Sequence, residues 1–214
     1  MGARLGGWAA IIGAIAALGY ASRISGGRPE RDVIYQWDVA IGNLVQYGVI
    51  LGFVVGLSLG RSRQLLALRR PRSWRRAALI AAGVLVGVYA LGIALDPLLH
   101  AGREQGLTPP GWDSDRAPAF AVNFVAIAAV APVVEELLFR GLGFSLLQRF
   151  GQTIAILAIG VAFGLWHGLV FAFPLLAAFG AGLAYLRSRT DSVYPGILVH
   201  AAFNALALIV AVTT

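Results

Sequence analysis

Seven apolar runs constrain the fold of this chain more than any other feature. A transmembrane helix needs about 20 apolar residues, and the runs cover residues 8–21, 39–59, 77–95, 118–149, 153–169, 171–186 and 193–212. Hydrophobic residues make up 58% of the sequence and charged residues 13%, whereas soluble domains are about 45–50% apolar and 25% charged. The pattern predicts an all-α, polytopic transmembrane helical bundle in one membrane domain, residues 1–214.

The fourth run decides how many spans are expected. It is longer than one straight crossing needs, and Pro132 lies near its middle. Proline removes a backbone hydrogen bond and kinks or breaks a helix. We therefore expect Pro132 to kink the run or to divide it, which gives seven or eight spans.

Positive charge is concentrated between the second and third runs. This segment has no acidic residue but contains many arginines: Arg61, Arg63, Arg69, Arg70, Arg72, Arg75 and Arg76. Because cytoplasmic loops are enriched in Lys and Arg, the Arg61–Arg76 loop and the N-terminus are predicted to be cytoplasmic. The net charge of +7 is then expected to face anionic lipid headgroups rather than nucleic acid.

Three further features of the sequence bear on the chemistry and the topology. The sequence has no cysteine, which excludes a disulfide framework and a thiolate nucleophile or metal ligand. The first run follows Arg4 as in a signal peptide, but the spans that follow favour a first transmembrane helix. His100 lies in the acidic segment 96–116, which we place outside, and we interpret it as a solvated loop residue.

Three charged residues, Glu135, Glu136 and Arg140, lie inside the fourth apolar run. A charge at membrane depth costs about 2.5–3.5 kcal/mol on insertion scales, so each of them needs a partner. Glu136 and Arg140 are four residues apart and can pair along one helix face. Glu135 points about 100° away around the helix, so its partner is expected on another helix.

The late runs contain three more polar residues at helical spacing. His167 lies one turn after Phe163, and Asn204 lies one turn after His200. At 1.5 Å per residue, Glu135 and His167 are both about 21 Å from the cytoplasmic ends of their runs, with His200 and Asn204 at about 12–18 Å. One buried His or Asn often only joins helices, for about 0.6 kcal/mol, but this overlap in depth predicts a shared functional site.

The residue types are those that activate water, and two versions of the chemistry remain open. In the metal version, Glu135, His167 and His200 bind a hydrolytic zinc ion with water in the open position. In the metal-free version, Glu135 is the general base, His167 holds the water, and His200 and Asn204 donate hydrogen bonds to an oxyanion. In both versions Arg140 holds Glu136, or both glutamates, in position.

Four aromatic side chains near these residues are candidates for the wall of a substrate cavity: Phe139, Phe163, Trp166 and Phe203. Ordinary helix packing explains each of them equally well. Since water and an apolar peptide must both reach the site, the cavity is expected to open to the cytoplasm or laterally to the bilayer.

The three motifs together resemble those of a known family. Glu-Glu-x-x-x-Arg at 135–140, Phe-x-x-x-His at 163–167 and His-x-x-x-Asn at 200–204 are similar to the motifs of the CPBP intramembrane proteases. That family is also called Abi and includes the CAAX prenyl endopeptidase Rce1. The resemblance covers about residues 117–208, so residues 1–116 form N-terminal spans without a motif and 117–214 contain the catalytic helical core.

The resemblance implies a membrane peptidase in which Glu135 and His167 activate water while His200 and Asn204 stabilise the oxyanion. In Rce1-type members the substrate is a prenylated C-terminal CAAX sequence. The family is often described as metalloproteases, which implies zinc, although a metal-free glutamate mechanism is also argued for it. Two other functions are compatible with the sequence: a non-catalytic scaffold or bacteriocin-immunity protein, and a proton-coupled transporter, for which buried acids also serve.

Overall fold

The computed structural model describes residues 2–26, 32–99, 104, 109 and 111–213, and this part of the chain is all-helical without β-strands. Its helices are α1 (Gly2–Gly26), α2 (Trp37–Ser58), α3 (Ser62–Leu65), α4 (Trp74–Leu99), α5 (Ala117–Phe150), α6 (Gln152–Trp166), α7 (Phe173–Thr190) and α8 (Tyr194–Thr213). The predicted all-α fold class is confirmed. His100 lies outside the described residues.

Five of the described helices are long and apolar enough to cross a membrane: α1, α2, α4, α5 and α8. Helix α6 has 15 residues and rises about 22 Å, whereas the hydrocarbon core is about 30 Å thick. Helix α7 ends with Arg187 and Arg189 in its last turn and is not one of the five. The number of seven or eight spans is therefore not confirmed, but the five apolar helices support an integral membrane protein.

Helix α5 continues through Pro132, so the proline does not divide it. Two stretches of α5 have the wider π-helical turn, Ala126–Val130 and Leu137–Gly143. In the first stretch the N–H of Ala131 bonds to the carbonyl of Ala126, five residues back. The Ile127 carbonyl would pair in the same way with residue 132, but proline has no N–H. Pro132 thus leaves the Ile127 carbonyl available to a side chain.

Helices α6 and α7 form a tightly packed antiparallel hairpin beside α5. Gly180 permits the close approach, because a Cβ built on it would lie 2.8 Å from Phe163 Cβ and 3.1 Å from Gly160 Cα. Helix α1 is fixed across the bundle at both ends. The Trp8 indole donates to the Leu138 carbonyl at 3.0 Å, and Arg23 Nε donates to the Gly168 carbonyl at 2.8 Å.

Helix α2 has one apolar face that is exposed and another that is buried in the bundle. Its exposed side chains recur every four residues: Ile41, Val45, Val49 and Phe53. The opposite face buries Ala40, Ile50 and Val54 against the rest of the bundle. A continuous exposed apolar stripe is typical of a surface that contacts lipid or another protein, and the length of α2 makes lipid the expected neighbour.

Candidate active site

Glu135 on α5 is buried, with 3% of its surface exposed, and both of its oxygens face other helices. The Tyr47 hydroxyl on α2 donates a hydrogen bond to Glu135 Oε1 at 2.9 Å. Glu135 Oε2 lies 3.8 Å from His200 Nε2 on α8, which is too long for a direct hydrogen bond. A water about 2.8 Å from both atoms bridges a gap of this size. Two residues on other helices, Tyr47 and His200, therefore face the Glu135 carboxylate, for which the sequence predicted a partner on another helix.

Glu136 and Arg140 of α5 together join this helix to two others. Arg140 Nη1 lies 2.7 Å from Glu136 Oε1, at the spacing the sequence predicted, and both side chains are fully buried. His200 Nδ1 lies 3.2 Å from the same oxygen. Arg140 Nη2 also donates to the Gly180 carbonyl on α7 at 2.9 Å. This network fixes α5, α7 and α8 relative to one another.

Hydrogen-bond partners assign the tautomers of the two histidines. His167 Nδ1 lies 2.8 Å from the Phe163 carbonyl, and because a carbonyl only accepts, Nδ1 carries the hydrogen. In the neutral ring Nε2 of His167 therefore holds a lone pair. His200 Nδ1 faces the Glu136 carboxylate and donates to it in the same way, so Nε2 of His200 donates only when both ring nitrogens are protonated.

Asn204 is positioned by the carbonyl that Pro132 leaves free. Asn204 Nδ2 donates to the Ile127 carbonyl at 2.9 Å. A side-chain amide has two N–H donors, so this bond fixes the amide plane and leaves the second N–H for another acceptor. The π-helical turn and the proline in α5 thus orient a side chain of α8.

One cavity brings the polar residues together. It has a volume of about 360 Å³, and its polar lining includes Glu135, His167, His200 and Asn204. Glu136 and Arg140 are not among its lining residues. Glu136 contacts His200 from outside the cavity, and Arg140 pairs with Glu136. The apolar part of the lining includes Phe163, Leu176, Phe179 and Phe203. A polar end that can bind water therefore adjoins an apolar wall that can contact a hydrocarbon chain.

Two of the four aromatic residues proposed for the wall lie elsewhere. Phe163 and Phe203 line the cavity, whereas Phe139 and Trp166 do not. Phe139 is fully buried and packs edge-on against Trp166, with ring centroids 5.6 Å apart. It also contacts Trp8 of α1 at 6.5 Å. Phe139 therefore faces α1, and both residues belong to the packed core.

The cavity lining extends toward the C-terminal end of α1. Arg4 donates to the Leu59 carbonyl beside the Arg61–Arg76 loop, so the N-terminal end of α1 lies near that loop. Arg23 is 19 residues further along α1, which is about 28 Å, and it lines the cavity together with Leu169. The described lining thus extends from Glu135 away from the arginine-rich loop.

The residues proposed as zinc ligands were tested for their fit to a metal ion. No group of three His, Cys, Asp or Glu side chains among the described residues has an arrangement that could hold one. His200 Nδ1 and His167 Nδ1 are engaged by Glu136 and the Phe163 carbonyl, which leaves only the Nε2 atoms of the two rings for a metal ion. The set Glu135, His167 and His200 does not fit zinc as it is arranged.

Sequence reasoning missed several residues that line the cavity, among them Arg23, Tyr47 and Phe179. Tyr47 carried a recognisable signal. Tyrosines of membrane helices are enriched at the two interfaces, whereas Tyr47 is ten residues inside α2, about 15 Å from its start. A hydroxyl at that depth requires a partner. Arg23 and Phe179 carried no comparable signal, because each is an ordinary residue for its position in the sequence.

The fold and site define an all-helical protein with a buried acid, two imidazoles and an amide around a cavity between apolar helices. Residues 117–206 match the family described as type II CAAX prenyl endopeptidase Rce1-like, which is a family of proteases. The match confirms the resemblance that the three motifs indicated. It covers α5, α6, α7 and most of α8, so α1 to α4 lie outside it. No curated protein and no solved structure matches the chain.

Proposed function

We propose that this protein is an intramembrane endopeptidase that hydrolyses a peptide bond of a membrane-associated substrate. The observation that carries the proposal is the shared cavity of Glu135, His167, His200 and Asn204, with aromatic walls beside them. The family match supports a peptidase independently of this geometry. A cavity between apolar helices that has one polar end suits a substrate with a lipid or apolar segment next to its scissile bond.

In the proposed mechanism Glu135 takes a proton from water as the water oxygen attacks the carbonyl carbon of the peptide. His167 Nε2 accepts a hydrogen bond from the other O–H of that water and so orients the molecule. The carbonyl becomes an oxyanion that accepts a hydrogen bond from Asn204 Nδ2, and from His200 Nε2 in the form of His200 that is protonated on both ring nitrogens. Glu135 then passes the proton to the departing nitrogen as the carbon–nitrogen bond breaks, which leaves a carboxylic acid and an amine, and the proton of the acid moves to the amine to give a carboxylate and an ammonium group.

No step of this proposed mechanism passes through a metal ion, because no group of three His, Cys, Asp or Glu side chains among the described residues is arranged to hold one. Glu136 and Arg140 do not contact the substrate in this scheme. Glu136 holds His200 through Nδ1, and Arg140 neutralises Glu136. Their role is to keep the Nε2 atom of His200 directed at the cavity.

The proposal is tested with Glu135→Gln and His167→Ala in proteoliposomes, using an internally quenched peptide with a farnesylated CAAX sequence. We expect each variant to lose at least about 100-fold in kcat, the typical contribution of a general base, and to keep the melting temperature of the wild type to within a few degrees. Asp115→Asn, a change to an exposed carboxylate in the segment before α5, is the control and should retain full activity. Wild-type activity in either site variant would contradict the mechanism.

The substrate class is proposed from the same cavity. A prenyl chain needs an apolar wall next to the polar end, and Phe163, Phe179 and Phe203 provide one. We expect the farnesylated peptide to be cleaved and the same peptide without the lipid to be cleaved poorly, chiefly through a higher KM. A scaffold or immunity protein, in contrast, would cleave neither peptide and would keep its biological phenotype when all four cavity residues are replaced by alanine.

For the orientation, we propose that the Arg61–Arg76 loop faces the cytoplasm and its anionic headgroups. The loop contains seven arginines without an acid, the charge pattern of a cytoplasmic loop. The chain lacks cysteine, so single cysteines can be introduced without a background. A membrane-impermeant thiol reagent added outside intact cells should label Ser114→Cys but leave Ser73→Cys unlabelled, and the reverse pattern would contradict the orientation.

A further inference from the structure

Helix α2 contributes a side chain to the polar site although it lies outside the family match. The Tyr47 hydroxyl donates to Glu135 Oε1 at 2.9 Å, and Tyr47 lines the same cavity as Glu135. The matched region begins at residue 117. The site of this protein is therefore incomplete without a residue from the N-terminal helices, to which neither the motifs nor the family match assigns a role.

Tyr47 lies on the inward face of α2. It is separated by three and seven residues from Ile50 and Val54, which are buried, and these spacings place the three side chains on one face of a helix. A phenylalanine at this position would fill the same space without placing a hydroxyl among apolar helices. Since a polar group at this depth costs free energy unless it is hydrogen-bonded, the bond to Glu135 accounts for the hydroxyl.

The two oxygens of the Glu135 carboxylate have different neighbours. Oε1 is held by Tyr47, whereas Oε2 faces His200 Nε2 across 3.8 Å. A carboxylate fixed at one oxygen cannot rotate about its last bond without losing that hydrogen bond. Oε2 is thereby kept pointing at the place where the water is expected.

We propose that Tyr47 is a positioning residue that holds the Glu135 carboxylate in the orientation needed to take a proton from water. The inference rests on the proposed role of Glu135 as the water-activating base. It assigns a task to the N-terminal helices, which is to close the site from the side of α2 and to supply the donor that orients its base.

Kinetics of Tyr47→Phe test the orientation, because this change removes only the hydroxyl. A positioning role predicts that kcat for the farnesylated peptide falls about 10- to 100-fold, the loss expected for a hydrogen bond to a charged group, while KM stays within about twofold. Tyr35→Phe is the matched control. Its hydroxyl contacts the carbonyl of Gly111 and the N–H of Asp113 outside the cavity, so kcat should not change. A wild-type kcat in Tyr47→Phe would overturn the inference.

A stability cycle tests the contact without any substrate. The melting temperatures of the wild type, Tyr47→Phe, Glu135→Gln and the double variant are compared in one detergent. If the hydroxyl acts on the carboxylate, the effect of Tyr47→Phe changes when Glu135 is already replaced, whereas strictly additive effects would overturn the inference. The failure of the proposed function is distinct, because it would appear as full activity in Glu135→Gln, with or without coupling to Tyr47.

Discussion

Arg140 and Glu136 form an ion pair that has no exposure to solvent: Nη1 lies 2.7 Å from Oε1, and both side chains are 0% exposed. The arginine is also held by the Gly180 carbonyl at 2.9 Å and lies 4.4 Å over the Phe163 ring. Buried charges are tolerated when they are paired and hydrogen-bonded in this way. The pair thus links the helix that carries the base to the α6–α7 hairpin.

Removal of the arginine is expected to be severe. Arg140→Gln leaves the Glu136 carboxylate buried without its counter-charge, and breaking one partner of a buried pair costs about 3–5 kcal/mol. We predict a clear loss of thermal stability in detergent, measured by the melting temperature. The double variant Glu136→Gln/Arg140→Gln removes both charges and should recover part of the loss. Equal melting temperatures for Arg140→Gln and the wild type would show that the pair does not stabilise the fold.

Gly196 of α8 packs closely against Glu136 of α5. A Cβ at this position would overlap Glu136 Oε2, which is fully enclosed and has no hydrogen-bond partner in the described part of the chain. We predict that Gly196→Ala displaces α8 from α5 and lowers kcat for the farnesylated peptide at least tenfold, because a misplacement of about 1 Å can cost 100-fold. Gly87→Ala is the control, since a Cβ there meets nothing within 4 Å. Retention of wild-type kcat by Gly196→Ala would contradict the close packing.

The sequence was sufficient to predict the polar cluster, because a charged side chain inside a membrane helix needs a partner and the chain offers few candidates. A buried charge requires a partner, so the spacing of Glu136 and Arg140 predicted their pair, and Glu135 required a partner on another helix. The structure places His167, His200 and Asn204 on the same cavity as Glu135, as the comparison of depths predicted. The sequence could not indicate which residue of α2 would meet Glu135, because the motifs lie only in the last half of the chain.

Two other predictions needed information that a sequence does not contain. Hydropathy alone did not indicate that the fifth run forms a helix of only 15 residues, because that helix is mostly apolar. The orientation of Phe139 depends on the π-helical stretch Leu137–Gly143, in which the usual 3.6-residue periodicity does not hold.

Asn123 is a buried polar residue that does not belong to the site. It is a buried amide in α5, but it donates to the carbonyls of Ile34 and Gln36 and is absent from the cavity lining.

Sensitivity to chelators distinguishes the two versions of the chemistry. Glu135, His167 and His200 do not form a metal-binding group in the described structure. We therefore predict that purified protein contains far less than one zinc per chain by elemental analysis and that EDTA and 1,10-phenanthroline leave cleavage of the farnesylated peptide unchanged. Loss of activity with both chelators, restored by added zinc, would contradict the metal-free mechanism and would require the three side chains to rearrange.

Asp191 supplies a prediction for the pH dependence of stability, at the end of α7. Its Oδ1 accepts from Arg69 Nη2 at 2.5 Å and from Arg187 Nη1 at 2.9 Å. Partial burial raises the pKa of Asp191, but the hydrogen bonds from Arg69 and Arg187 outweigh it and hold the pKa below its ordinary value of 3.8. A carboxylate with a lowered pKa stabilises the fold above its ordinary pKa, and this contribution is lost as the pH falls through the lower value of the folded protein.

We therefore predict that, below about pH 4, the melting temperature of the wild type falls more steeply than that of Asp191→Asn, because only the wild type loses the ionised carboxylate. At neutral pH the variant should melt only about 1–4 °C lower, because the side chain is 51% exposed and exposed ion pairs contribute about 0.2–1 kcal/mol. Asparagine is the appropriate replacement, since Asp191 has a left-handed backbone with φ of 55° and asparagine tolerates that conformation. Parallel pH profiles for the two proteins would show that the two arginines do not stabilise the ionised carboxylate.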